Sequence, residues 1–102
     1  MRRLTFALSL ALLAFTACID HTLDAGDYNR SCTADDQCID VFIGDACEAC
    51  RCANDAINIS DKDRYQADLE SARKCPPGGP VCNADCITPV PVCQKGTCVL
   101  PH

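Results

Sequence analysis

Hydrophobic and polar residues change rhythm several times along this chain of 102 residues. Leu4 to Phe15 is apolar except for Thr5 and Ser9, and Arg2 and Arg3 precede it. The run falls short of the roughly 20 residues that a membrane-spanning helix needs. It has the form of an export signal over residues 1–17, with a charged start and an apolar middle. Residues 19–31 are polar, acidic and free of cysteine, which predicts a solvated tether. Asp24, Asp27 and Asn29 lack the alternating carboxylates and terminal Glu of a calcium loop. Further on, Cys38-Ile39-Asp40-Val41-Phe42-Ile43 is β-branched and partly alternating. Ile39, Val41 and Ile43 share a face, which predicts a strand. Gly44-Asp45 reads as its turn, the return runs from Ala46 to Cys52, and Ala56-Ile57-Asn58-Ile59 continues the returning strand.

One segment has helical spacing. Tyr65, Leu69 and Ala72 repeat at intervals of three and four, and Cys75 prolongs the same face. Ser60 followed by Asp63 is a variant capping box, and Asp61 adds negative charge where the helix dipole favours it. Arg73 and Lys74 suit the other end, Glu70 and Lys74 form an i,i+4 pair, and Pro76-Pro77 stops the helix. The spacing predicts a helix over residues 61–74. Beyond the Gly78-Gly79-Pro80 loop, Val90 to Leu100 reads as a hairpin turning at Lys95-Gly96, where Gly96 supplies positive φ. That register sets Cys93 opposite Cys98 and Val92 opposite Val99. The expected fold is small, disulfide-rich α+β: short β-hairpins with one helix packed on them.

Cysteine changes the picture most. The chain has 11, Cys18 and then Cys32, Cys38, Cys47, Cys50, Cys52, Cys75, Cys82, Cys86, Cys93 and Cys98. With Cys18 set apart, ten remain, an even number that closes five disulfides. Such density in a small exported chain means a disulfide scaffold, because the apolar core is thin. The spacing leaves the pairing among hundreds of connectivities open. From Cys18 onward the chain keeps seven basic residues against all 14 acidic ones, a net charge of 7 − 14 = −7. That balance argues against nucleic acid as a partner.

Phe15-Thr16-Ala17-Cys18 resembles the lipobox of bacterial lipoproteins: a bulky apolar residue, two small ones, then cysteine. Phe15 departs from the usual leucine and also opposes ordinary signal-peptidase cleavage after Ala17. Together with Cys32-Thr33-Ala34-Asp35-Asp36-Gln37-Cys38 and Cys93-Gln94-Lys95-Gly96-Thr97-Cys98-Val99, this makes the chain similar to the small cysteine-rich lipoproteins of Gram-negative bacteria. The resemblance implies cleavage before Cys18, lipidation of Cys18 and a membrane anchor through that lipid. Ile19, rather than Asp, follows Cys18, which implies outer-membrane delivery. The domains expected are a signal peptide (residues 1–17), a lipid-anchored tether (18–31) and a disulfide-stapled domain (32–100).

Candidate chemistry is sparse. Cys47-x-x-Cys50-x-Cys52 has spacing on which reduced thiolates converge on zinc, but export favours disulfides, and no metal or cofactor is expected. A thioredoxin-type redox pair would need a larger α/β unit. His21 and His102 are the two histidines. Both lie outside the cysteine-bounded segment, which disfavours histidine-based nucleophilic catalysis. Lys95, at the tip of a loop framed by cysteines, is the residue a trypsin-like protease would recognise. The expected function is a non-catalytic, lipid-anchored envelope or surface module, binding or structural, with an unidentified protein or envelope partner. A secreted protease inhibitor presenting Lys95 is the second reading, and a thiolate metal-binding protein the third.

Overall fold

The computed structural model describes residues 20–87 and 89–101. The expected export signal and lipobox, with Cys18, lie outside the described residues, as do Thr88 and His102. Within them the chain is a disulfide-rich α+β fold. The strands are β1 (Thr22–Leu23), β2 (Cys38–Val41), β3 (Gly44–Asp45), β4 (Asp55–Asn58), β5 (Val92–Gln94) and β6 (Thr97–Val99), and helix α1 spans Lys62–Ala72. The strands form three antiparallel pairs, β1 with β3, β2 with β4 and β5 with β6.

The β2–β4 pair is the centre. Cys38 lies opposite Asn58, Ile39 opposite Ile57, Asp40 opposite Ala56 and Val41 opposite Asp55. Alternation sends the two faces into different cores. Val41 and Ile57 enter a cluster with Leu23, Tyr28, Phe42, Ala46, Tyr65 and Ala72, against which Ile39, Ile43 and Leu69 pack. Cys38 and Ala56 join Cys32, Cys98 and Leu100 on the other side. The expected face of Ile39, Val41 and Ile43 is therefore present, but the expected hairpin is not. Gly44-Asp45 is no turn; it pairs with Thr22-Leu23 as β3. Gly44 takes φ 130, and a Cβ there would stand 3.4 Å from the Phe42 ring. The chain thus leaves β2 over Phe42 and returns only at Asn54. The Asn54 backbone N–H donates to Val41 O (3.0 Å), and its side chain spans Ile43 N and O (2.8 and 2.7 Å).

Residues 19–31, expected as a solvated tether, are folded in from His21 onward. Ala46 N donates to His21 O at 2.7 Å. Leu23 and Tyr28 are buried. Tyr28 meets Tyr65 edge-on at 5.6 Å, lies beneath the Arg64 guanidinium and donates its hydroxyl to Asp68 Oδ2 at 2.7 Å. Arg30 pairs with Asp55 at 2.9 Å, and Ser31 bridges to Thr97. The Asp24 carboxylate accepts from Gly26 N at 2.9 Å, capping a 3-10 turn. Two isolated apolar residues carry no periodicity, so the segment reads as solvent-facing. A core short of large side chains nevertheless recruits both of them.

Helix α1 buries Tyr65 and Ala72 and leans Leu69 on the core, as the spacing predicts. Its start differs. The Asn58 side chain accepts from Ser60 N at 2.9 Å and opens a 3-10 turn, Ile59–Asp61, that leads into the helix. The Asp61 carboxylate, expected to serve the helix dipole, also accepts from Asn29 N at 2.6 Å and so fastens the N-terminal segment. The β5–β6 hairpin has the expected register, Val92 opposite Val99 and Cys93 opposite Cys98.

All ten cysteines from Cys32 to Cys98 are paired, in two sets. Cys32–Cys93 and Cys38–Cys98 tie the approach to β2 to the C-terminal hairpin. Cys47–Cys75, Cys50–Cys82 and Cys52–Cys86 fasten the long β3–β4 connection to the chain that follows α1. Between Arg73 and Pro91 the described chain has no helix or strand, and Val81, Ile87 and Val90 are exposed on it. Those three disulfides are what hold it.

Candidate functional site

Lys95 is where the sequence places it, at the tip of β5–β6. Lys95 has φ 52 and Gly96 φ 78, so both turn residues are left-handed, the two-residue turn that matches strand twist. Lys95 is exposed. The hairpin below it is well braced. Gly96 O accepts from Cys32 N (3.0 Å), Cys98 N donates to Arg30 O (2.7 Å), and Cys93 N donates to Asp35 Oδ1 (2.8 Å). Disulfides leave both strands at the opposed pair Cys93 and Cys98. The result is a rigid bend. Substrate-like segments engage proteases extended, by backbone pairing, and a left-handed lysine in a tight turn does not offer that.

The dense thiol cluster is spread apart. Cys47, Cys50 and Cys52 each bond to a different cysteine beyond α1, so they do not converge as a three-thiolate ligand set. Two other groupings of metal-ligating types occur among the described residues. Cys32, Cys38 and Cys98 come together in the second core, all buried and all in disulfides. His21, Cys47 and Cys75 meet at the end of α1, with the two sulfurs bonded to each other.

An open cavity of about 380 Å³ lies where β2, the Arg51-Cys52-Ala53 stretch and α1 meet. Val41, Phe42 and Leu69 supply apolar wall; Asp40, Arg51 and Arg73 supply charge. At the base the Tyr65 hydroxyl accepts from Phe42 N (2.9 Å) and donates to Phe42 O (2.8 Å), so both its hydrogen-bonding roles are taken. Burial raises the Tyr65 pKa above the usual 10.0 of tyrosine. Tyr28 is pushed well above that value, first by burial and then by its hydrogen bond to the Asp68 carboxylate. Both phenols are therefore neutral donors at ordinary pH and not bases. Arg51 Nη1 donates to Ala46 O at 3.3 Å. Among the described residues the ion pairs are Arg30–Asp55 and Arg64–Asp61, so Arg51 and Arg73 carry unpaired charge on the cavity wall.

This cleft is not visible in the sequence. Arg51 reads as a polar spacer between two cysteines and Arg73 as a cation at a helix end. They come together where Cys47–Cys75 and Cys52–Cys86 join the β3–β4 connection to the chain after α1. Cys18, the expected lipidation site, lies outside the described residues. Comparison with models of protein families, with curated proteins and with solved structures finds no match for this chain.

Proposed function

We propose that the chain is a non-catalytic, lipid-anchored module of the bacterial cell envelope, carried on Cys18 to the outer membrane and serving a binding or structural role. The observation that carries this reading is the cysteine arithmetic in three dimensions. Ten of 11 cysteines are consumed within one cross-linked body, leaving Cys18 for a separate task at the end of an apolar run. The close packing from His21 onward adds a physical consequence: the body would sit within a few residues of the lipid, held near the membrane surface rather than on a long leash. His21 and Ser31 bond to groups other than each other, so they form no nucleophile–base pair. The His21 ring bonds to Ala72 O, and Ser31 Oγ donates to Asn29 Oδ1 at 2.6 Å. The cleft walled by Arg51 and Arg73 is the surface best suited to a partner, because it joins apolar wall to unpaired cations.

Expression of Cys18→Ser in a Gram-negative host tests the anchor. It should leave uncut precursor and abolish partitioning into detergent phase; processed, soluble mature protein would sink the lipoprotein reading. The inhibitor reading draws support from the two disulfides at the base of the Lys95 hairpin, and the bend at Lys95 counts against it. Stoichiometric inhibition of a trypsin-like protease, lost in Lys95→Ala, would make it the better account.

A further inference from the structure

Three ligand-type side chains from distant parts of the sequence meet at the C-terminal end of α1. A ring nitrogen of His21 and the sulfurs of Cys47 and Cys75 lie within 4.8 Å of one another, and none of the three residues is buried. Each is positioned by bonds that do not depend on the disulfide. His21 is held through its carbonyl, which accepts from Ala46 N, and through Nδ1, 2.8 Å from Ala72 O. Ala72 O is among the last carbonyls of the helix, which lack partners within it. A carbonyl only accepts, so Nδ1 carries the proton and Nε2 keeps the free lone pair. Cys47 N donates to Asp45 Oδ1 at 2.9 Å, and Cys75 N donates to Arg73 O at 2.8 Å just past the helix.

We infer that His21, Cys47 and Cys75 form a zinc site that the Cys47–Cys75 disulfide keeps closed and that a dithiol reductant opens. The dithiol gives two electrons and two protons to the Cys47–Cys75 bond and becomes a disulfide itself, leaving two thiols. Zinc then displaces both thiol protons to solvent and takes two thiolates and one imidazole nitrogen, with water in the fourth position. Two sulfurs on a tetrahedral zinc stand about 3.8 Å apart, given Zn–S near 2.3 Å. The Cα atoms of Cys47 and Cys75 are 5.6 Å apart, so side-chain rotation reaches that separation with the backbone in place. The pairing of two thiolates with imidazole favours zinc over hard cations. Partial reduction leaves Cys32–Cys93 and Cys38–Cys98 closed, three of whose four cysteines are buried in the second core, and the residues beside the site, Leu23, Ala46 and Ala72, stay packed in the first core. The proposal is independent of the anchor.

The test is a cobalt and zinc titration of the full chain before and after partial reduction with dithiothreitol, which is then removed without air. The oxidised protein should bind neither ion. The reduced protein should bind one ion, with a cobalt charge-transfer band of two-thiolate intensity. His21→Ala should weaken binding at least tenfold, the scale on which losses around a zinc centre are felt. X-ray absorption of the wild-type zinc adduct should give a shell of two sulfurs and two lighter atoms, a readout that holds even if His21→Ala fails to fold. No binding after reduction would overturn the site. So would a four-sulfur shell, or unchanged affinity in a folded His21→Ala, since either places the metal on other cysteines.

Discussion

Tyr28 and Tyr65 are the chain's two tyrosines, and they pack on each other with their hydroxyls committed to different segments. Tyr28 carries the N-terminal segment onto the helix, and Tyr65 carries the helix onto the end of β2. Both have folded-state pKa values raised above 10.0, burial being the first cause in each. The unfolded chain therefore releases these protons first. The stabilisation is fully present below about pH 10 and is lost as pH rises from there through the folded values. A rapid alkaline titration followed by tyrosinate absorbance should show less ionisation at pH 10 than in denatured protein, which is half ionised there; equal ionisation in the native protein would contradict this packing. Tyr28→Phe removes the bond to Asp68 and should cost about 1 kcal/mol in denaturant unfolding. At the hairpin tip, Lys95→Asn should be close to neutral, because asparagine tolerates the left-handed region. Gly96→Ala should destabilise by about 1 kcal/mol or more, because alanine at φ 78 is strained.

The elements that could be read from local pattern are those whose partners are close in sequence. The β5–β6 hairpin has a two-residue turn that fixes its register, so Cys93 opposite Cys98 follows from Lys95-Gly96 alone. Helix α1 follows from Tyr65, Leu69 and Ala72. Its cap does not, because Asn58 belongs to β4 and Ser60, the better-placed candidate in sequence, has its own N–H bound by Asn58. Asn58 also donates from Nδ2 to Ser31 O at 2.7 Å, joining strand, helix entry and N-terminal segment. Asn58→Ala should thus cost about 1–2 kcal/mol, while Ser60→Ala should change stability by only a few tenths. Equal costs in denaturant titration would restore the capping box at Ser60. In the middle of the chain, the turn expected at Gly44-Asp45 failed because β3 bonds to β1, a segment too polar to read as a strand.

Across the whole molecule the two disulfide sets differ in access. Cys32, Cys38 and Cys98 are buried, with Cys98 fully so, whereas none of the six cysteines in the other set is. Graded reduction followed by alkylation and mass mapping should label Cys47, Cys50, Cys52, Cys75, Cys82 and Cys86 before the remaining four. The release should free the chain between Pro76 and Pro91 while the β2–β4 and β5–β6 pairs persist. Early labelling of Cys38 or Cys98 would mean that the second core opens more readily than its burial implies. Disulfides here close loops of 28 to 61 residues in sequence separation, each restricting the unfolded chain by about 4 kcal/mol on the loop-entropy scale. Complete reduction should therefore unfold the domain.

Sequence by itself determined the class of this fold: ten cysteines from Cys32 to Cys98 to be paired, one helix with a readable face and one C-terminal hairpin with a readable register. These depend on composition, parity and spacing within a few residues. Tertiary structure decided the rest. It chose one pairing of the ten cysteines, converted Gly44-Asp45 from turn to strand, and folded residues 21–31 into the body. It also gathered Arg51 with Arg73, and His21 with Cys47 and Cys75. The physical reason is that each of these is a contact between segments with no periodicity in common, settled by which small set of apolar side chains could be buried together. In a core this thin, Leu23 and Tyr28 were needed, and the chain around them was drawn in with its charges and ligands.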